Sequence, residues 1–419
     1  MRAIFFCVVF FVSCACVSAQ RACLATQYNE LETSRNPAQL RAQQAVEDFI
    51  QQRALQSTAH SSQVTASAAP VLIIPVVVHV LYSNENQNIS DEQVKSGIEA
   101  LNRDFRRMNG DTINTPAAFK SVAADTRIEF VLATADPAGR STNGINRKQT
   151  SVTEWRMDDK VKMSVHGGVN PWDSKSYLNI WVGNMRSLLG YASAPGSSAE
   201  KDGVVITTNA FGLKNVRAPY DLGRTAVHEV GHWLGLKHIW GDSYCGDDGI
   251  HDTPRQGNFT AGCPKGFRTS CDNGPAGDMY MNYMDFTDDA CMNLFTEGQK
   301  DRMRALFLQG GPRAGLLSSK GLQKPWSQQV VLEEGVQPVL SSQFKVYPNP
   351  ASSEITADFG SDTWIGKDVS LLSAQGILLQ KVRVLSRIQK ISLQSLKPGL
   401  YFLKGANGTQ AINQKIIKI

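Results

Sequence analysis

The longest uninterrupted apolar run outside the N-terminus is V-L-I-I-P-V-V-V-H-V-L-Y at 71–82. Its length and β-branching predict a buried strand, with His79 packed inside it as a core histidine. After a capping-box pair at Ser90 and Gln93, Val94, Ile98, Leu101, Phe105 and Met108 recur at helical spacing up to Asn109-Gly110. Further strands are expected at 127–134, 177–182 and 203–208. A second capping box, Thr296 with Gln299, opens a helix carrying Met303, Leu306 and Phe307 that stops at Gly310-Gly311-Pro312. This order predicts an α+β domain, a twisted sheet backed by helices. Upstream, Asn36-Pro37 starts a looser helical stripe through Leu40, Val46, Phe49 and Ile50 to about Gln52. The Ser/Ala/Thr-rich stretch from His60 to Ala69 has little to bury and reads as an exposed linker. Residues 316–343, rich in Ser, Gln and Lys, read as a second linker. In 344–419, short β-rich runs (369–372, 376–384, 400–403) alternate with turns at Gln375-Gly376, Pro398-Gly399 and Asn407-Gly408. That pattern predicts a small all-β, Ig-like sandwich.

A length of 419 residues is more than one average domain, and 42% apolar with 19% charged residues is ordinary for globular chains. A net charge of +5 without basic runs gives no case for nucleic acid. The first 19 residues read as a secretory signal: Arg2, an apolar Ile4 to Val12, then Val17-Ser18-Ala19 before the cut. A lipoprotein signal on Cys14 or Cys16 lacks the usual Leu-Ala-Gly-like run before either. No stretch approaches 18 apolar residues, so no transmembrane segment is expected. Losing the signal leaves Cys23, Cys245, Cys263, Cys271 and Cys291. The last four cluster closely and imply two disulfides, with three connectivities open, and Cys23 is left over.

The chemistry is concentrated in A-V-H-E-V-G-H-W-L-G-L-K-H at 226–238. His228 and His232 stand four apart and share one helix face. Gly235 can end the helix in a left-handed conformation, bringing His238 round as a third ligand. Three neutral imidazoles leave the fourth position of a tetrahedral Zn²⁺ open for water, with Glu229 beside it as general base. Asn282-Tyr283-Met284-Asp285 is the candidate for a turn that places Met284 beneath the ion.

Together with I-P-V-V-V-H-V (74–80), Y-L-N-I-W-V (177–182), H-E-V-G-H-W-L-G-L-K-H-I-W-G-D (228–242), M-N-Y-M-D (281–285) and the four cysteines, these residues resemble the pappalysin family of metzincin metallopeptidases over roughly residues 70–312. The resemblance implies a metzincin-type catalytic domain at 70–315 and disulfides Cys245–Cys271 and Cys263–Cys291, each worth about 3 kcal/mol in a chain-entropy estimate. It also implies Ca²⁺ bound near the loop 246–253, with Asp248 and Thr253 the best matches and Asp247 and Asp252 weaker ones. Cys23, in Arg21-Ala22-Cys23, matches a propeptide segment whose thiolate takes the fourth zinc position in a zymogen, making 20–69 a latency propeptide. Residues 344–419 resemble the sorting domain of type IX secretion cargo through F-K-V-Y-P-N-P (344–350), K-P-G-L-Y-F-L (397–403) and the ending Q-K-I-I-K-I. An adhesive or carbohydrate-binding β-module is the alternative for that domain.

Two positions depart from the family pattern. Phe286 stands where relatives carry a tyrosine whose hydroxyl assists the reaction. Ala290, next to Asp288 and Asp289, stands where arginine-specific relatives carry an acidic residue. The expected function is a secreted or cell-surface zinc endopeptidase, made latent, that acts on extracellular proteins or peptides after export through the type IX machinery. The rival reading is a non-catalytic surface or adhesion protein that keeps the zinc fold. A hydrolase of non-protein amides is a third.

Overall fold

The computed structural model describes residues 23–60, 69–325, 339–340, 344–373, 378–407 and 410–419. The signal sequence, most of both linkers and the Gln375-Gly376 turn lie outside them. The chain divides into two compact units, Met1–Ser327 and Gln328–Ile419.

In the first unit, helices α1 (Ala25–Arg35) and α2 (Pro37–His60) precede strand β1 (Leu72–Tyr82) and helix α3 (Asp91–Phe105). Strands β2 (Ile128–Leu132), β3 (Ile145–Gln149), β4 (Leu178–Gly183), β5 (Gly190–Ala192) and β6 (Val204–Thr207) follow. Helices α4 (Arg224–Trp233) and α5 (Glu297–Ala305) complete the unit. The sheet order is β2-β1-β4-β6-β5, with β3 pairing the far end of β1 on the same edge as β2. Every pairing is parallel except that of the three-residue edge strand β5 with β6.

The run at 71–82 is apolar throughout because the sheet is covered on both faces. Val76, Val78 and Val80 face a core shared with Leu101, Phe105, Val227 and Val230 of the helices. Leu81 faces the other way, with Trp181, Tyr191 and Val205. His79 also points there, stacked on Trp181 at 5.3 Å and bonded through its two ring nitrogens to Asn179 and Asn146. Burial lowers its pKa to about 4, so it is a neutral core histidine.

Where pattern and structure differ, the cause is local. Ser90 accepts from the Gln93 amide, but the Gln93 side chain donates to the carbonyls of Thr208 and Phe211 instead of closing a capping box. Helix α3 ends at Phe105 because Arg107 takes a left-handed conformation (φ 50°), which leaves Met108 outside the helix and 63% exposed. Thr296 and Gln299 do form a complete capping box. Strands β3 and β5 were too short for periodicity, and α1 has no apolar stripe to announce it.

The second unit contains β7 (Val339–Leu340), β8 (Lys345–Tyr347), β9 (Glu354–Asp358), β10 (Asp368–Ser373), β11 (Leu378–Arg383), β12 (Ile388–Ser392), β13 (Gly399–Ala406) and β14 (Gln410–Lys418). They form two sheets, β11-β10-β13-β14-β7 and β12-β9-β8. Alternate residues such as Leu371, Leu403, Ile412 and Ile416 point inward around Trp364 and Phe359, which is the sandwich pattern.

A candidate metal centre

All ten residues of α4 are buried. Its N-terminus is held by Asp289, whose carboxylate accepts from the amides of Leu222 (3.0 Å) and Arg224 (3.1 Å). The Arg224 guanidinium, itself buried, bonds Asp104 of α3 (3.2 Å) and Asp111 (2.7 Å). At the other end Gly235 is left-handed (φ 85°). The Leu236 amide donates to Gly231 O (3.0 Å) and the Gly235 amide to His232 O (2.9 Å), closing a Schellman turn. Arg313 then ties the end of the helix to Asp202, lying 3.9 Å over the Trp233 ring.

That turn carries the chain round to His238. The Nε2 atoms of His228 and His238 each lie 3.1 Å from Nε2 of His232. Each Nδ1 faces outward to an oxygen: His228 to Tyr283 O (2.7 Å), His232 to Leu236 O (2.9 Å), His238 to Asp242 Oδ1 (2.5 Å). Those acceptors place the ring proton on Nδ1 and leave three Nε2 lone pairs converging. Around a tetrahedral zinc with Zn–N near 2.05 Å, ligand nitrogens would stand about 3.3 Å apart, close to what is found. Burial, and then the neighbouring His238, lower the His232 pKa to about 3, which keeps that imidazole neutral as a ligand must be.

The Cys23 sulfur joins this group. Ligand atoms of Cys23, His228, His232 and His238 all lie within 4.8 Å of one another, and all four residues are buried. Cys23 is placed by a parallel bridge to Gly190 of β5, with the Leu24 amide donating to Gly190 O at 3.4 Å. Gly190 is also where Glu229 sits. A Cβ there would fall 2.9 Å from Glu229 Cγ, so glycine is needed for the carboxylate to lie against the edge strand. Below the helix, a Cβ on Gly231 would meet Met284 Sδ at 2.6 Å. Met284 is fully buried, and its turn is fixed by Asn282 Oδ1, which accepts from the Met284 amide (2.9 Å).

Phe286 packs its ring against His238 (4.8 Å) and Trp240 (4.8 Å), while Trp240 stacks flat on His238 at 4.4 Å. An aromatic wall thus stands where relatives carry a tyrosine hydroxyl, as Phe286 in the sequence implied. Asp289, beside Ala290, is fully buried and already committed to the start of α4. Sequence reasoning gave no role to Asp242 or Trp240. Their places four and two residues after His238 were the available signal.

The disulfides are Cys245–Cys271 and Cys263–Cys291. In the acidic loop, Thr253 donates to the buried Asp248 (2.8 Å), and Asp247 accepts from the Gly249 amide. Asp252 turns away to cap α5, accepting from Thr296 Oγ1 (2.7 Å) and the Gly298 amide (2.8 Å). The four acidic-loop candidates therefore do not converge. Among the described residues, the only group of three or more His, Cys, Asp or Glu close enough to share an ion is Cys23 with the three histidines.

A histidine pair on one helix, a third histidine past a glycine turn, a glutamate at the edge strand and a methionine beneath define a metzincin-type metallopeptidase. Residues 163–308 match the family described as pregnancy-associated plasma protein-A, and residues 345–419 match the secretion system C-terminal sorting domain. An extracellular metalloprotease of Pyricularia oryzae is 30% identical over 275 residues, covering 63% of this chain and 86% of that one. Two solved structures from Tannerella forsythia are similar. Mature mirolysin in complex with a cleaved peptide shows 52% identity and a TM-score of 0.58, covering 60% of this chain and 97% of that one. A promirolysin mutant shows 46% identity and a TM-score of 0.63, covering 71% and 97%. The chain belongs to the pappalysin family of metzincins and carries a type IX secretion sorting tail. It is a secreted or cell-surface zinc metalloendopeptidase, and no helix among the described residues is long and apolar enough to cross a membrane.

Proposed function

We propose that the protein is made as a latent zymogen in which His228, His232 and His238 hold the zinc ion through Nε2 and the Cys23 thiolate fills the fourth position. The observation that carries this reading is the convergence of those four ligand atoms within 4.8 Å in a buried site. Bound there, zinc would supply a Lewis acid that polarises a peptide carbonyl and makes water more acidic. The chain's own residues supply the rest. Asp242, Tyr283 O and Leu236 O hold the three rings in one tautomer. Glu229, buried against β5, takes a proton from the attacking water and passes it to the leaving amine. Met284 gives the site an apolar floor. Residues 20–69 are the propeptide and 70–315 the catalytic domain, while 344–419 is the sorting domain, read by the type IX machinery. Ca²⁺ near the acidic loop is the weaker part of this reading: it rests on Asp248, whose Oδ2 is buried with no hydrogen bond, and on Thr253, which donates to its other oxygen.

The test is Glu229→Gln. Shape and metal ligands are kept while the base is lost, so casein cleavage should fall about 100- to 10,000-fold with zinc content by atomic absorption unchanged. Cleavage near the wild-type rate would end this mechanism.

A further inference from the structure

On the sheet face opposite α4, next to the metal centre, lies a buried polar pocket that the proposed chemistry does not use. Lys162 is 1% exposed and Asp159 2%, paired at 3.0 Å. Tyr191 of β5 donates to Asp159 Oδ1 (3.2 Å), and the Lys162 ammonium lies 4.9 Å over the Tyr191 ring and 5.5 Å over Trp181. The pocket is filled by one side chain from α1. Tyr28 is 1% exposed, tilts on Tyr191 at 4.8 Å, sits 5.0 Å under Lys162, and donates its hydroxyl to Asp159 Oδ2 at 2.9 Å.

Three facts mark this as a recognition site beyond packing. A buried ion pair contributes little stability over a hydrophobic replacement of the same size, so its presence needs another reason. Asp159 takes a left-handed backbone (φ 60°), which aspartate adopts more readily than most side chains, and that turn sets the position of the pocket's carboxylate. Burial pushes the Asp159 carboxyl up, but the Lys162 ammonium, the Tyr28 hydroxyl and the Lys201 ammonium together outweigh that and leave it lowered.

The pocket also adjoins the reacting centre. Tyr191 follows Gly190, the residue that bridges Cys23 and touches Glu229. Tyr28 lies five residues after Cys23 along a mostly helical path, on the order of 8 Å of rise. An extended peptide covers that in about two or three residues.

We propose that, once the propeptide has left, the Tyr28 pocket takes a phenol side chain of the substrate, a tyrosine about two to four residues from the scissile bond. This rests on the reading of 20–69 as a propeptide over a peptidase site. Propeptide Tyr28 then occupies in the precursor the place of a substrate tyrosine in the mature enzyme.

The experiment uses the full chain after self-processing. Fluorogenic peptides of one parent sequence without aromatic residues carry Tyr, Phe or Ala at each of four positions on either side of the cleaved bond. At one position Tyr should raise kcat/KM about 30-fold over Ala and about tenfold over Phe, as a hydrogen bond to a charged acceptor implies. In Asp159→Asn, whose amide oxygen still accepts but carries no charge, the Tyr-to-Phe ratio at that position should fall to about threefold or less. Because it is a ratio within one preparation, partial unfolding does not mimic it. A second measurement is anisotropy of a labelled peptide of residues 24–35, which lacks Cys23, with and without Tyr28→Phe. The unsubstituted peptide should bind about tenfold more tightly. Equal rates for Tyr, Phe and Ala at all positions, in wild-type enzyme that cleaves the parent peptide, would overturn the pocket assignment. Failure to cleave any peptide, aromatic or not, would strike the peptidase reading itself.

Discussion

Helices α4 and α2 belong to the same compact unit yet are built on opposite principles. Every residue of α4 is buried, and both its ends are pinned by buried arginines, Arg224 and Arg313. Helix α2 is more than twice as long, but among residues 37–54 only Gln39 and Ile50 are buried. Polar contacts hold much of the rest: Glu47 with the Arg302 guanidinium and Arg53 with Gln309 O. A metal site needs ligands fixed by dense packing, whereas a propeptide, as residues 20–69 are proposed to be, needs contacts that water can replace. On the proposed reading the difference separates the part that does chemistry from the part that delays it.

Breaking the rigid side should have the largest effect on stability. In Gly231→Ala the new methyl meets Met284 Sδ at 2.6 Å in a fully packed core. A loss of about 1–3 kcal/mol is expected, read as a lower urea midpoint together with reduced zinc retention on dialysis. An unchanged midpoint would mean the floor of the site is softer than its packing indicates.

On the removable side, Cys23→Ala should shorten the activation lag of the purified precursor about tenfold, the effect of a hold weaker by about 1.4 kcal/mol. Time courses of the two precursors, with Glu229→Gln as an uncleavable control, measure it. Identical lags would leave the propeptide inhibiting by bulk alone.

Glu47→Ala should act more gently. The pair with Arg302 is partly exposed, so the lag should shorten only about two- to fivefold. Acid should do the same. Hydrogen bonds from Arg302 hold the Glu47 carboxyl below its ordinary range, outweighing burial. Its contribution to docking is therefore complete above the free value near 4.3, and is lost as pH falls through the lowered one. Binding of a separate α2 peptide to the processed enzyme, followed from pH 6 to 3, checks this.

The smallest effect is expected from calcium, because only Asp248 and Thr253 of the acidic loop stand together. At a free concentration equal to Kd it would add only about 0.4 kcal/mol, seen as a Tm difference between EGTA and added Ca²⁺. Equal Tm values would remove Ca²⁺ from the account.

Much of the rigid side was legible in the sequence, because its constraints are periodic or absolute. The strand at 72–82, α3 and the capping box of α5 follow from hydrophobic spacing. The convergence of His228, His232 and His238 follows from helix geometry plus one left-handed glycine. The removable side was less legible. Helix α1 has no apolar stripe, because its buried positions, Ala25, Tyr28 and Glu32, pack on a polar pocket as well as on core. The partners of Tyr28 come from Asp159 and Lys162, more than 130 residues away, and nothing local marks such a meeting. Strand β5, three residues long, acquires its identity only from pairing with β6. The role of Asp242 depends on a turn that brings it back to His238.

Asn36 is the single residue between α1 and α2. Its amide closes α1 by donating to Glu32 O (3.0 Å), while its side chain opens α2 by accepting from the Ala38 amide (3.1 Å). The proposed propeptide is therefore jointed, with α1 beside the metal centre and α2 on α5. On that reading a cut in the linker after His60 would leave α1 held by its own contacts through Cys23, Tyr28 and Glu32. On the proposed zymogen reading, activation would then involve two releases, that of α2 and that of α1.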